Sequence, residues 1–143
     1  MLGFIFAALA GAAMSVQGVF NTRLSEKIGL FESNTIVQGS AFLIALIVML
    51  IFGKGDITKV GEVNKLYLFG GIIGFVITLT VMIAIKNLSP TVAISVILIA
   101  QLLVAAIIDA FGLFGSEKVP FTLTKYIGIG LMIAGVIIFK YKS

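Results

Sequence analysis

Long apolar runs, each free or nearly free of charge, alternate with short polar segments along the whole chain. A bilayer core of about 30 Å is crossed by about 20 helical residues. Five runs reach that length, and the pattern predicts membrane-spanning helices over 2–22, 33–52, 66–85, 91–113 and 123–139. They use nearly all of the 143 residues, so residues 1–143 are expected to form a single five-helix, all-α membrane domain with no room for a soluble one.

Local signals punctuate the runs. The first resembles a signal peptide over Ala7–Ala13, but Met1-Leu2 supplies no basic leader and four runs follow, so a retained helix is expected. It ends at Arg23, and a loop over 24–31 leads to Ser33 or Asn34 as the cap of the second helix. Gly53-Lys54-Gly55-Asp56 breaks the chain, and the mixed-charge segment 54–65 is expected to include a short interfacial stretch. Lys86-Asn87-Leu88-Ser89-Pro90 is a very short turn, which predicts a tight antiparallel pairing of the third and fourth helices with Pro90 in the first turn of the latter.

In lipid, apolar burial does not drive helices together, and small residues that let backbones approach take its place. Gly3, Ala7, Gly11 and Ser15 recur every fourth residue and predict a packing groove along the first helix. Gly70 with Gly74 on the third helix and Gly130 with Ala134 on the fifth are shorter versions.

Polar groups inside hydrocarbon must face protein or a water-filled cavity. Gln17 and Asn21 share a face of the first helix, Asn34 and Gln38 a face of the second, and Gln101 and Asp109 a line on the fourth, while Thr78 lies on the Gly70/Gly74 face of the third. The fifth helix has almost no such line. Helices one to four are therefore expected to surround a cavity, with Gln17, Asn21, Gln38 and Gln101 as contacts for solute or water and the fifth helix outside it. The competing expectation is that these amides only tie helices together.

Composition narrows the chemistry. Apolar residues make up 60% of the chain and charged residues 11%, against roughly 45–50% and about 25% in soluble domains. There is no Cys or His, and the carboxylates Glu26, Glu32, Asp56, Glu62 and Glu117 fall in loops or at helix ends. No catalytic set, metal-ligand cluster or phosphate-cradling loop is present, so neither an enzyme nor a cofactor or metal is expected. The basic residues are scattered rather than clustered, which points away from nucleic acid and toward membrane lipids, anionic headgroups above all.

Counted along alternating flanks, Lys54, Lys59, Lys65, Lys118 and Lys125 fall on one side of the membrane and Arg23, Lys27, Lys86, Lys140 and Lys142 on the other. Orientation follows the side with excess Lys and Arg. The ten basic residues are evenly split and give no bias, so insertion in both directions and pairing as an antiparallel homodimer are expected. Asp109, the one acid within a span, would then lie at the membrane level of the partner's Arg23 and Lys86, placing an intersubunit ion pair within reach.

The segment Gly11–Gly39, with Ser15, Gln17, Asn21, Arg23-Leu24 and Gly39, resembles the opening of the YdcZ-type branch of the drug/metabolite transporter superfamily. The stretch from Gln101 through Asp109, Phe111-Gly112 and Gly115, followed by Gly128 and Gly135, stands at the family's spacing too. The resemblance covers essentially the whole chain. It implies a multi-pass protein of the bacterial inner membrane, similar to one half of a ten-helix EamA-type transporter, in a branch whose members occur as dual-topology homodimers, as oppositely oriented pairs and as fused inverted repeats; the even charge split favours the homodimer over a heteromeric pair. It also implies a cavity lined by the first four helices of each half, with a peripheral fifth. The related small multidrug resistance proteins carry a proton-exchanging Glu in their first helix. The comparable stretch here, Ala12 to Gly18, offers only Gln17, which does not titrate. A cavity of amides, hydroxyls, Phe and Met suits a neutral or amphipathic small molecule. The expected function is therefore transport by alternating access through a shared dimer cavity; the alternative is a structural or interaction membrane protein that transports nothing.

Overall fold

A run of helix-compatible residues does not stop at its first charge, and this decides where the first helix ends. In the computed structural model, which describes residues 1–141, α1 spans Leu2–Ile28 and continues well past the expected end at 22. Nothing in Arg23–Ile28 breaks a helix. Arg23 Nη1 meets Glu26 Oε2 at 3.1 Å one turn on, and Lys27 in the last turn suits the helix dipole. The expected loop contracts to Gly29, whose φ of +104° is rarely adopted by residues with a side chain. A Cβ there would also run into the Glu32 carboxylate.

Helix α2 (Leu30–Phe52) starts at once, with Gly29 in the capping position and no side-chain cap. Ser33 and Asn34 are therefore not caps but lie inside α2, where both are fully buried. Gly53 closes the helix, its N–H bonding Met49 O.

The next segment forms two 3-10 helices, Ile57–Glu62 and Lys65–Phe69. Asp56 caps the first: its Oδ1 accepts from the Thr58 N–H at 3.0 Å and from the Thr58 hydroxyl at 2.5 Å. Those bonds, the hydroxyl's foremost, hold the Asp56 carboxyl below its ordinary range. Asn64 caps the second through the Leu66 N–H.

Helix α3 covers Gly70–Asn87 and α4 covers Pro90–Phe111. As expected, Pro90 occupies the first turn of α4, where its missing N–H has no helical partner to lose. Ser89 Oγ accepts from the Val92 N–H. Gly112, in the left-handed region, ends α4. Helix α5 spans Leu123–Tyr141. Lys142, counted in the charge balance above, lies outside the described residues. All five expected spans are present as helices long and apolar enough to cross a membrane.

The chain divides into two units, Met1–Asn87 and a second beginning at Leu88. In the first, α1, α2 and α3 pack on one another; in the second, α4 packs against α5. Large apolar side chains are exposed along every helix, which suits a hydrocarbon solvent and would not suit water. The first unit's buried side chains instead gather toward one end of its helices and are mostly polar: Asn21, Thr22, Ser25, Ser33 and Asn34, with Met82 and Ile85.

Candidate solute-binding groove

The contacts that hold the first unit together fix where its amides can point. On α1 they follow Gly18, Thr22 and Ser25, all buried at alternating spacings of four and three. These positions lie along one stripe of the helix. Thr22 and Ser25 satisfy their hydroxyls on carbonyls of their own helix, Gly18 O and Thr22 O, both at 2.7 Å, so neither donor is stranded away from water.

Three polar ties join the helices. Ser33 Oγ donates to Asn21 O at 3.2 Å, linking α2 to α1, and lies 3.6 Å from Met82 Sδ. Asn34 Nδ2 donates to Phe75 O at 3.2 Å and Gln38 Nε2 to Thr78 Oγ1 at 3.2 Å, both linking α2 to α3. Thr78 passes its own proton to Gly74 O at 2.9 Å. Asn34 Oδ1 is buried and, among the described residues, accepts no hydrogen bond.

Gln17 and Asn21 lie together. With Leu9, Ala12, Ala13, Val16 and Phe20 they line an open groove of about 550 Å³ along α1. Gln17 is exposed and Asn21 is nearly buried. The face sets amide donors and acceptors beside apolar side chains and one aromatic, Phe20, all from α1. Gln38 sits elsewhere in the same unit, half-buried and joined to Thr78. Gln101 and Asp109 belong to the second unit, exposed and half-buried respectively on α4. Arg23 pairs with Glu26 at the surface, and Lys86 is exposed near the end of α3. Neither Lys86 nor Asp109 makes an ion pair among the described residues.

The small-residue stripes stay open within the chain. A Cβ at Gly3, Gly11, Gly70, Gly74 or Gly130 would meet no atom within 4 Å, and Ala7 and Ala134 are exposed. Ser15 donates to Gly11 O. The tight intrachain approach is at Gly18 instead, against Val81 and Ile85 of α3.

Sequence reasoning missed four participants. Gly18 and Thr22 lie beyond the regular fourfold stripe, which ends at Ser15, and on a different spacing. Ser33 reads as a cap when a loop is expected before it. Phe75 contributes only a backbone carbonyl, which no side-chain pattern announces.

Searches of curated proteins and of solved structures return no match to this chain. Residues 2–138 match the profile of the family described as "Putative inner membrane exporter, YdcZ". With nearly its whole length matched and five apolar helices in place, this chain belongs to the YdcZ family of the drug/metabolite transporter class.

Proposed function

We propose that this protein exports a neutral or amphipathic small molecule across the inner membrane, working as an antiparallel homodimer with a shared cavity. The open face of α1 carries this reading: Gln17 and Asn21 set two amides among apolar side chains, on a face that a second copy would have to close into a cavity. Family membership supports the exporter assignment. Gln38 retains acceptor capacity after bonding Thr78, and Gln101 adds an exposed amide on α4. In the antiparallel pair the two copies exchange conformations, so each access state is the inverted image of the other. The open glycine stripes, Gly3 to Ser15 on α1, Gly70 with Gly74 and Gly130 with Ala134, are the faces on which a second copy would pack. Asp109 would meet the partner subunit's Arg23 or Lys86. Asp109→Lys should weaken dimerisation, and Arg23→Asp or Lys86→Asp in the same chain should restore it.

One observation favours the structural alternative, in which polar residues only fasten helices. Asn34 and Gln38 are both engaged with α3. The readings separate on water access. The chain has no Cys, so Gln17→Cys and Gln101→Cys can each be probed in native membranes with a water-soluble thiol reagent. Transport through a cavity predicts labelling at both positions; protection at both would contradict it and favour the structural reading.

A further inference from the structure

The connection between α2 and α3 carries a feature that transport does not use. Ile57, Val60, Val63, Leu66, Leu68 and Phe69 are all exposed in this short segment. A loop in bulk water would not gather such a surface, whereas one lying at the level of the lipid headgroups would. Val60 and Gly61 of the first 3-10 helix face Lys65, Leu68 and Phe69 of the second and Ile72 of α3 across a groove of about 380 Å³.

Lys65 is the one charged residue in this lining. It is also the first residue of the third membrane span, Lys65–Asn87, which sets it at the boundary between hydrocarbon and headgroups. Leu68, Phe69 and Ile72 line the same groove and carry it from that boundary into the span. Among the described residues no carboxylate lies within ion-pairing distance of Lys65, and Asp56, elsewhere in the same connection, is occupied by Thr58.

We propose that this groove binds an anionic phospholipid, with its phosphate on the Lys65 ammonium and an acyl chain along Leu68, Phe69 and Ile72. Charge complementarity selects the occupant. A zwitterionic lipid would bring its own cation to Lys65, and a soluble anion would leave the apolar wall uncovered. The site does not depend on the transport reading.

The test is native mass spectrometry of the full chain in neutral detergent, titrated with phosphatidylglycerol or phosphatidylcholine. The wild type should prefer phosphatidylglycerol by about fivefold, the effect of one lysine near an anionic headgroup. Lys65→Gln should erase that preference while Lys65→Arg keeps it. Lys59→Gln, outside the groove, should leave it unchanged. Gly61→Trp should weaken both lipids, because it fills a groove in which a side chain meets no obstacle. Excess inorganic phosphate should not displace the lipid. No preference in the wild type, a preference that survives Lys65→Gln, or an equal loss in Lys59→Gln would overturn the proposal, as would displacement by phosphate. Retained helical circular dichroism identifies the folded variants, and Lys65→Arg against Lys65→Gln carries the test if Gly61→Trp fails to fold.

Discussion

Gly18 of α1 and Ile85 of α3 approach so closely that a Cβ on residue 18 would stand 2.8 Å from Ile85 Cδ1, with Val81 Cγ1 at 3.2 Å. The first unit is thus joined where a side chain is missing, beside the cluster of buried polar residues. Both obstacles are tips of flexible side chains, so a methyl group is accommodated by small rotations and a larger group is not. Gly18→Ala should cost about 1 kcal/mol and Gly18→Leu about 3 kcal/mol, at the two ends of the overpacking range. Gly11→Ala, with no atom within 4 Å, should leave subunit stability unchanged. Denaturation in detergent, followed by loss of helical signal, measures all three.

Asn34 makes an unusual case for stability. It gains one interhelical bond, to Phe75 O, a type of tie that averages about 0.6 kcal/mol in a membrane protein. Its Oδ1 is buried without a partner, a desolvation penalty of about 1–3 kcal/mol. The second term outweighs the first, so Asn34→Leu should leave the fold equally stable or make it more so. Ser33→Ala, which removes the hydroxyl's contacts with Asn21 O and Met82 Sδ and strands no donor, should destabilise by about 0.6 kcal/mol. Paired unfolding curves check both. A loss above about 1 kcal/mol in Asn34→Leu would mean that its tie to α3 dominates, which would favour the structural reading of the amides.

The Asp56 cap should respond to pH in one direction. Its folded carboxyl is depressed by the Thr58 hydrogen bonds relative to an ordinary value of 3.8. The contribution of the ionised form is therefore complete above that value and is lost as pH falls through the lower folded value. The turn at Ile57–Glu62 should stay capped at neutral pH and loosen only in strong acid. Thr58→Val should return the Asp56 titration toward the ordinary range, and Asp56→Asn should remove the pH response. Carboxyl NMR titration of labelled protein would show this; an unshifted Asp56 in the wild type would contradict it.

Five spans were legible because an uncharged apolar run of membrane length is seldom anything but a membrane helix. The breaks at Gly53 and Gly112 and the start at Pro90 were legible because Gly and Pro act locally. The α1–α2 junction was not, since Leu24–Lys27 is polar enough to read as loop yet contains nothing that stops a helix. Only Gly29 does that. The polar face of α2 was visible in the spacing of Asn34 and Gln38, but not its partners. Thr78 shared a face with Gly70 and Gly74 without indicating which helix it would meet, and the Phe75 carbonyl left no trace in the side-chain pattern. Whether the chain pairs with itself would show in the sequence chiefly through charge, where ten basic residues split evenly between the two flanks.

That charge balance makes orientation the most direct test of the central claim, that one chain inserts both ways and pairs with itself. Ser116→Cys places a thiol on the exposed connection between α4 and α5 without altering the count of basic residues. It would be labelled in native membranes with an impermeant thiol reagent before and after permeabilisation. Insertion in both directions predicts partial labelling of intact membranes that rises on permeabilisation, from two populations of opposite orientation. Complete labelling before permeabilisation, or none until after it, would mean a single orientation and would contradict the antiparallel homodimer.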